Sequence, residues 1–181
     1  MMRFVFYFIV IISAFILHNT VGAFFKLGKV VPDVTLIALV SIALIENQAA
    51  GASSGFLAGL LKDLISLRGF GVNAFTHTLI GYVAGIIEAS IISNILAFML
   101  LVFGFTILSN FFYMMVAFLV SYQIDYLFWW YALIAAFYNA LISPLVYLPV
   151  VYAYNKLLTR SSVTGATAYA KSSKIVGGGK K

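Results

Sequence analysis

Residues 95–122 contain no charged side chain, and most of their positions are large and apolar. A helix built from such a run has no polar face for water and is stable only where apolar matter surrounds it. Further apolar runs lie on both sides of it. Over all 181 residues, 64% are hydrophobic and 9% charged, with a mean hydropathy of +1.08. A soluble domain carries about 25% charged residues, and this chain has too few to cover its surface. The runs are long and do not alternate with polar residues, which excludes barrel strands and predicts an all-α integral membrane protein.

The apolar pattern divides the chain into about six segments, near residues 4–25, 34–45, 50–67, 72–93, 95–122 and 128–158. At 1.5 Å per residue the second reaches only about 18 Å and the third about 27 Å, against a hydrocarbon core of about 30 Å. These two are expected to be short helices enclosed by protein, either as spans or as a re-entrant hairpin. The first segment follows Arg3 like a signal peptide, but no small-residue cleavage pattern closes it, so it is expected to be a retained span. Pro144 and Pro149 should kink the last segment. Tyrosines and tryptophans around Asp125, in residues 121–131, mark a membrane surface.

The formal charge is +6, and six of the eleven basic residues follow Tyr154: Lys156, Arg160, Lys171, Lys174, Lys180 and Lys181. In a membrane chain this is an orientation signal and not a nucleic-acid footprint. With an even number of spans, Arg3 and these six lie on one side, against Lys26, Lys29, Lys62 and Arg68 on the other. Both termini are therefore expected to be cytoplasmic. Residues 1–158 form the membrane domain, and 159–181 a disordered basic tail able to touch anionic lipid. There is no cysteine, so no disulfide can form.

Within residues 32–85, Gly51, Gly55 and Gly59 recur every fourth residue, with Asp63 next in register, and Gly81, Gly85 and Ala89 make a second series. In lipid, small residues at this spacing let helix backbones approach closely, so the two series are expected to form a packing seam. The paired Gly69 and Gly71 suit a turn, and Asn73 is expected to cap the helix after it. The succession Pro32-Asp33, an apolar run, GFLAGLLKDLIS (55–66) and GFGVNAF (69–75) resembles the MreD family, the small membrane subunit of the bacterial rod-shape machinery. The chain departs from the family pattern at Lys62, where an apolar residue is expected before Asp63.

The resemblance implies a fold similar in architecture to the substrate-binding subunits of energy-coupling-factor transporters. It implies a multi-pass protein of the bacterial inner membrane that acts as a non-enzymatic scaffold in rod shape determination and peptidoglycan synthesis. The implied partners are a single-span MreC-like protein, the elongation glycosyltransferase and transpeptidase, and indirectly MreB filaments. Pro32, Asp33, Asp63, Gly69, Gly71 and Asn73 are then the implied structural or partner site.

The residues themselves carry little chemistry. His18 and His77 sit on different segments without a carboxylate at ligand spacing, so no metal site is suggested. No nucleophile triad, phosphate loop or catalytic carboxylate pair is present, which predicts a protein without enzymatic activity or cofactor. Asp63 is expected to point into protein, with Lys62 and Arg68 as its counter-charges, whereas Asp33 and Asp125 lie near segment ends and Glu46 in a solvated link. Glu88 is expected either at the interface or facing the bundle. The alternative function is a substrate-binding subunit of a vitamin-type transporter, for which Asn73, His77 and Asn139 are the scattered polar candidates.

Overall fold

A helix that is apolar on every side has to be enclosed, and the second apolar segment meets that requirement most fully. In the computed structural model, residues 2–20, 22, 24–26, 28–66, 71–87, 94–119 and 125–159 are described. They form six α-helices: α1 (Met2–Thr20), α2 (Val34–Ile45), α3 (Gln48–Ile65), α4 (Val72–Ile86), α5 (Ile95–Leu119) and α6 (Phe128–Tyr154). A π-helical turn, Asn155–Thr159, continues α6. Residues 35–44 of α2 are all buried, and the helix touches each of the other five. Its Ser41 hydroxyl donates to the Ile37 carbonyl at 2.7 Å, so that polar group is satisfied within the helix.

Successive helices run in opposite directions. The start of α1 meets the end of α2 through Arg3 and Glu46, and the start of α2 meets the end of α3 through Asp33 and Lys62. Along α3 and α4, Gly51 lies against Gly81 and Gly59 against Asn73. Along α5 and α6, the Phe98 ring lies tilted against that of Tyr147 at 4.3 Å and Tyr113 stacks on Phe128 at 5.9 Å. Phe6 and Tyr154 meet edge to face at 5.9 Å, so the beginning of α1 and the end of α6 share one end of the bundle.

α2 coincides with its apolar run, but other helices begin or end away from the bounds of theirs. α1 stops at Thr20 and not near residue 25, with Asn19 and Thr20 turning their side chains onto the carbonyls of Phe15 and Ile16. Such local bonding by polar side chains competes with continuation of the helix. α3 begins earlier than its apolar run, at Gln48, because Asn47 accepts from the N–H groups of Ala49 and Ala50. α4 ends at Ile86, and the end of the expected fourth segment, with Glu88 and Ala89, lies outside the described residues. In α6, Pro144 cannot donate to the Ala140 carbonyl, and the Ser143 hydroxyl does so at 2.7 Å.

Among the described residues three helices, α1, α5 and Phe128–Leu157, are long and apolar enough to cross a membrane. Phe4, Phe8, Phe56, Phe75, Phe118, Phe137 and Leu145 are among the large residues on the outside. That surface would be a liability in water but suits hydrocarbon.

Candidate functional site

Helices in lipid gain little from hydrophobicity against one another, so their association depends on close packing and on polar groups that find partners. Both are concentrated where α3 meets α4. A Cβ added at Gly51 would lie 2.1 Å from the Gly81 carbonyl oxygen, at Gly55 2.2 Å from that of His77, and at Gly59 2.2 Å from that of Asn73. On the facing helix, a Cβ at Gly81 would lie 2.1 Å from the Gly51 oxygen and at Gly85 2.4 Å from the backbone of Gln48. Backbone meets backbone at each of these points, leaving no flexible side chain to give way.

Asp63 lies at the end of this seam and is only 2% exposed. Its Oδ1 accepts from the N–H of Asn73 at 3.0 Å and from Asn73 Nδ2 at 2.9 Å; its Oδ2 accepts from the N–H of Gly71 at 3.0 Å and of Ala74 at 2.9 Å. A carboxylate on one helix thus caps the first turn of the next, where orphan N–H groups and the positive end of the helix dipole favour negative charge. Asn73 is therefore not the N-cap expected from its position. Gly71 holds that place, at φ +100°, where a Cβ would be strained, and Asn73 sits inside the helix as a donor to Asp63.

Nor is Lys62 the counter-charge of Asp63. It points in a different direction from α3 and pairs with Asp33. Adjacent residues on a helix point about 100° apart, which is why neighbours in sequence take different partners. Arg68 and Gly69 lie outside the described residues. Asp33 also caps α2, its Oδ1 accepting from the Leu36 N–H at 3.0 Å.

The Asp33–Lys62 pair brings the scattered polar residues together. The Lys62 Nζ lies 3.3 Å from Nε2 of His77, whose Nδ1 is 3.0 Å from the Asn73 carbonyl. Since a carbonyl only accepts, Nδ1 carries the proton and Nε2 is left to accept from the lysine. His18 on α1 donates from Nδ1 to the Pro32 carbonyl at 2.9 Å by the same logic. The Asp33 N–H donates to Asn139 Oδ1 at 2.7 Å, and Asn139 Nδ2 donates to Thr106 Oγ1 at 3.1 Å. A chain of polar contacts therefore joins α1 to α6 through the interior. Beside it a pocket of about 250 Å³ is lined by His18, Asn19, Lys62, Ser66 and Asn73, with Phe15 and Ile65 as apolar walls.

Two further ion pairs tie the ends of the bundle. Glu46 is not a solvated link residue: its side chain is 4% exposed, it pairs with Arg3 at 3.0 Å, and the phenols of Tyr7 and Tyr154 face it. At the other end, exposed Lys29 pairs with Asp125 at 3.2 Å and lies over the Tyr131 ring. The Leu127 N–H and then Lys29 hold the Asp125 carboxyl below its usual range, while Asp125 raises Lys29. Among the described residues no cluster of three or more His, Cys, Asp or Glu could hold a metal.

The Asp33–Lys62 pair, the carbonyl acceptors and the Asn139 link were not legible as contacts in the sequence. The only local signal was a Pro-Asp step before a helix, which marks an N-cap. The family described as rod shape-determining protein MreD matches residues 2–157. No curated protein and no solved structure matches the chain.

Proposed function

We propose that this chain, which belongs to the MreD family of rod shape-determining membrane proteins, is a non-enzymatic scaffold of the bacterial cell-elongation machinery. It holds a single-span MreC-like protein through its membrane helices and, through that partner, the elongation glycosyltransferase and transpeptidase above MreB filaments. It sits in the inner membrane with both termini cytoplasmic, and its basic residues 159–181 lie beside anionic lipid. The observation that carries this reading is a closely packed, hydrogen-bonded interior beneath an apolar exterior. The α3–α4 seam and the polar chain from His18 to Thr106 lock the helices together. The outward residues offer lipid and partner helices an almost wholly apolar surface.

Copurification of a tagged MreC-like partner tests it. Wild type and a variant truncated after Arg160 should both retain the partner, while Asp63→Ala, matched for expression, should lose most of it. Wild type that fails to copurify would end the scaffold reading.

The pocket beside Lys62 favours one second reading, a subunit that binds a small molecule for transport. A thermal-shift screen with vitamins separates the two, because the scaffold predicts no stabilisation.

A further inference from the structure

On the side of α2 away from the α3–α4 seam, α1 and α6 stand apart and hardly touch along their length. Among the described residues, the start of α1 meets the end of α6 in the Phe6–Tyr154 ring contact, and the chain after α1 is held to the body of α6 by the Tyr138 hydroxyl donating to the Phe25 carbonyl at 2.8 Å. Between them lies a groove of about 420 Å³, walled by Ser13, Ala14 and Leu17 of α1 and by Val146, Pro149 and Ala153 of α6. Buried Ala38 of α2 lines its floor, and Ser13 brings the one polar side chain of the lining.

The dimensions select an occupant. From Ile142 to Ala153 the wall of α6 runs about 17 Å at 1.5 Å per residue. Spread over that length, the 420 Å³ describes a narrow slot. Its width suits something slimmer than a helix about 10 Å across. A hydrocarbon chain, whose carbons meet apolar atoms at about 4 Å, fills a slot of this width. The length is also about half of a 30 Å hydrocarbon core, the depth of one leaflet.

Charge says which end holds the headgroup. Lys156 follows the lining residue Ala153 by three positions, just past the end of α6, and its ammonium lies over the exposed Tyr152 ring at 5.6 Å. A cation held over an aromatic ring at the bundle's end suits the phosphate of an anionic lipid.

We propose that the groove between α1 and α6 is a binding site for one acyl chain of an anionic phospholipid of the cytoplasmic leaflet, with its phosphate at Lys156. The leaflet rests on the orientation proposed above; the groove does not. The lipid completes the wall that α1 and α6 leave open and holds their spacing.

Native mass spectrometry of the full chain released from mild detergent tests the proposal, with vesicles of mixed phosphatidylglycerol and phosphatidylethanolamine as the lipid source. Wild type should keep one phospholipid under activation that strips the others, with phosphatidylglycerol preferred. Ser13→Phe fills the groove from an exposed position and should lower that adduct about tenfold without loss of fold. Lys156→Glu should keep an adduct but abolish the phosphatidylglycerol preference. No persistent adduct on wild type, or an unchanged one on Ser13→Phe, would overturn the site; an unchanged preference in Lys156→Glu would overturn the headgroup assignment. A Ser13→Cys variant that crosslinks to a partner's membrane helix as the lipid is lost would give the groove to the partner instead. A reporter fused at the carboxyl terminus reads orientation separately, so a wrong leaflet and a wrong site give different results.

Discussion

Asp63 can be buried because the first turn of α4 supplies the hydrogen bonds that water would otherwise give. Asp63→Ala leaves those N–H groups unpaired in an apolar setting, and it should destabilise the protein by about 3 kcal/mol or more in detergent unfolding. Asp33 and Lys62 obey the opposite rule, since each is there for the other's charge. Lys62→Met should cost about 3 kcal/mol, because a part-buried carboxylate loses its cation. Asp33→Asn keeps the Oδ1 that caps α2, so adding it to Lys62→Met should recover most of the loss. If a double-mutant cycle shows the two costs simply adding, the pair is not coupled and this account of it is wrong.

At the scale of elements, the seam makes a sharp distinction among glycines. Gly55→Ala forces a Cβ to within 2.2 Å of the His77 carbonyl oxygen, so the helices must separate, at a cost of about 1 to 3 kcal/mol. Gly104 on α5 has nothing within 4 Å of an added Cβ. Gly104→Ala should be neutral or stabilise by up to about 1 kcal/mol, since alanine is the better helix former. Melting temperatures of the two variants in one detergent decide this, and equal effects would mean that the seam does not hold α3 on α4. The Lys29–Asp125 clasp between elements has its own signature. Asp125 is lowered, so its contribution is present at neutral pH and disappears as pH falls through the carboxylate range; Lys29 is raised, so its contribution persists until pH passes the ordinary lysine range. Lys29→Ala should therefore differ from wild type more in unfolding at pH 7 than in strong acid, where only the Tyr131 contact remains to be lost.

For the whole molecule, antiparallel neighbours bring the two ends of the helical core together, as the Phe6–Tyr154 contact shows. A reporter active only outside the inner membrane, fused after Lys181, should be silent. Strong activity there would reverse the orientation without changing the fold. The same arrangement puts the Asp33–Lys62 pair and the Glu46–Arg3 pair at opposite ends of α2. The central helix is thus charged only where it begins and just after it ends.

The membrane class, the extent of α2 and the spacing of Gly51, Gly55 and Gly59 were legible in the chain because each is a local matter. Apolar length, a capping residue and a four-residue period require no knowledge of distant neighbours. Which partner each polar residue takes was not legible. Asp33 and Lys62 are 29 positions apart, and Asp33 and Asn139 106 apart, so their meeting depends on the register of antiparallel helices. That register is decided by where two backbones come closest, at glycines on facing helices, and by which N–H groups each turn leaves open. Local sequence specified the helices and the small faces between them; only tertiary packing sent Lys62 to Asp33 and left Asp63 to the first turn of α4.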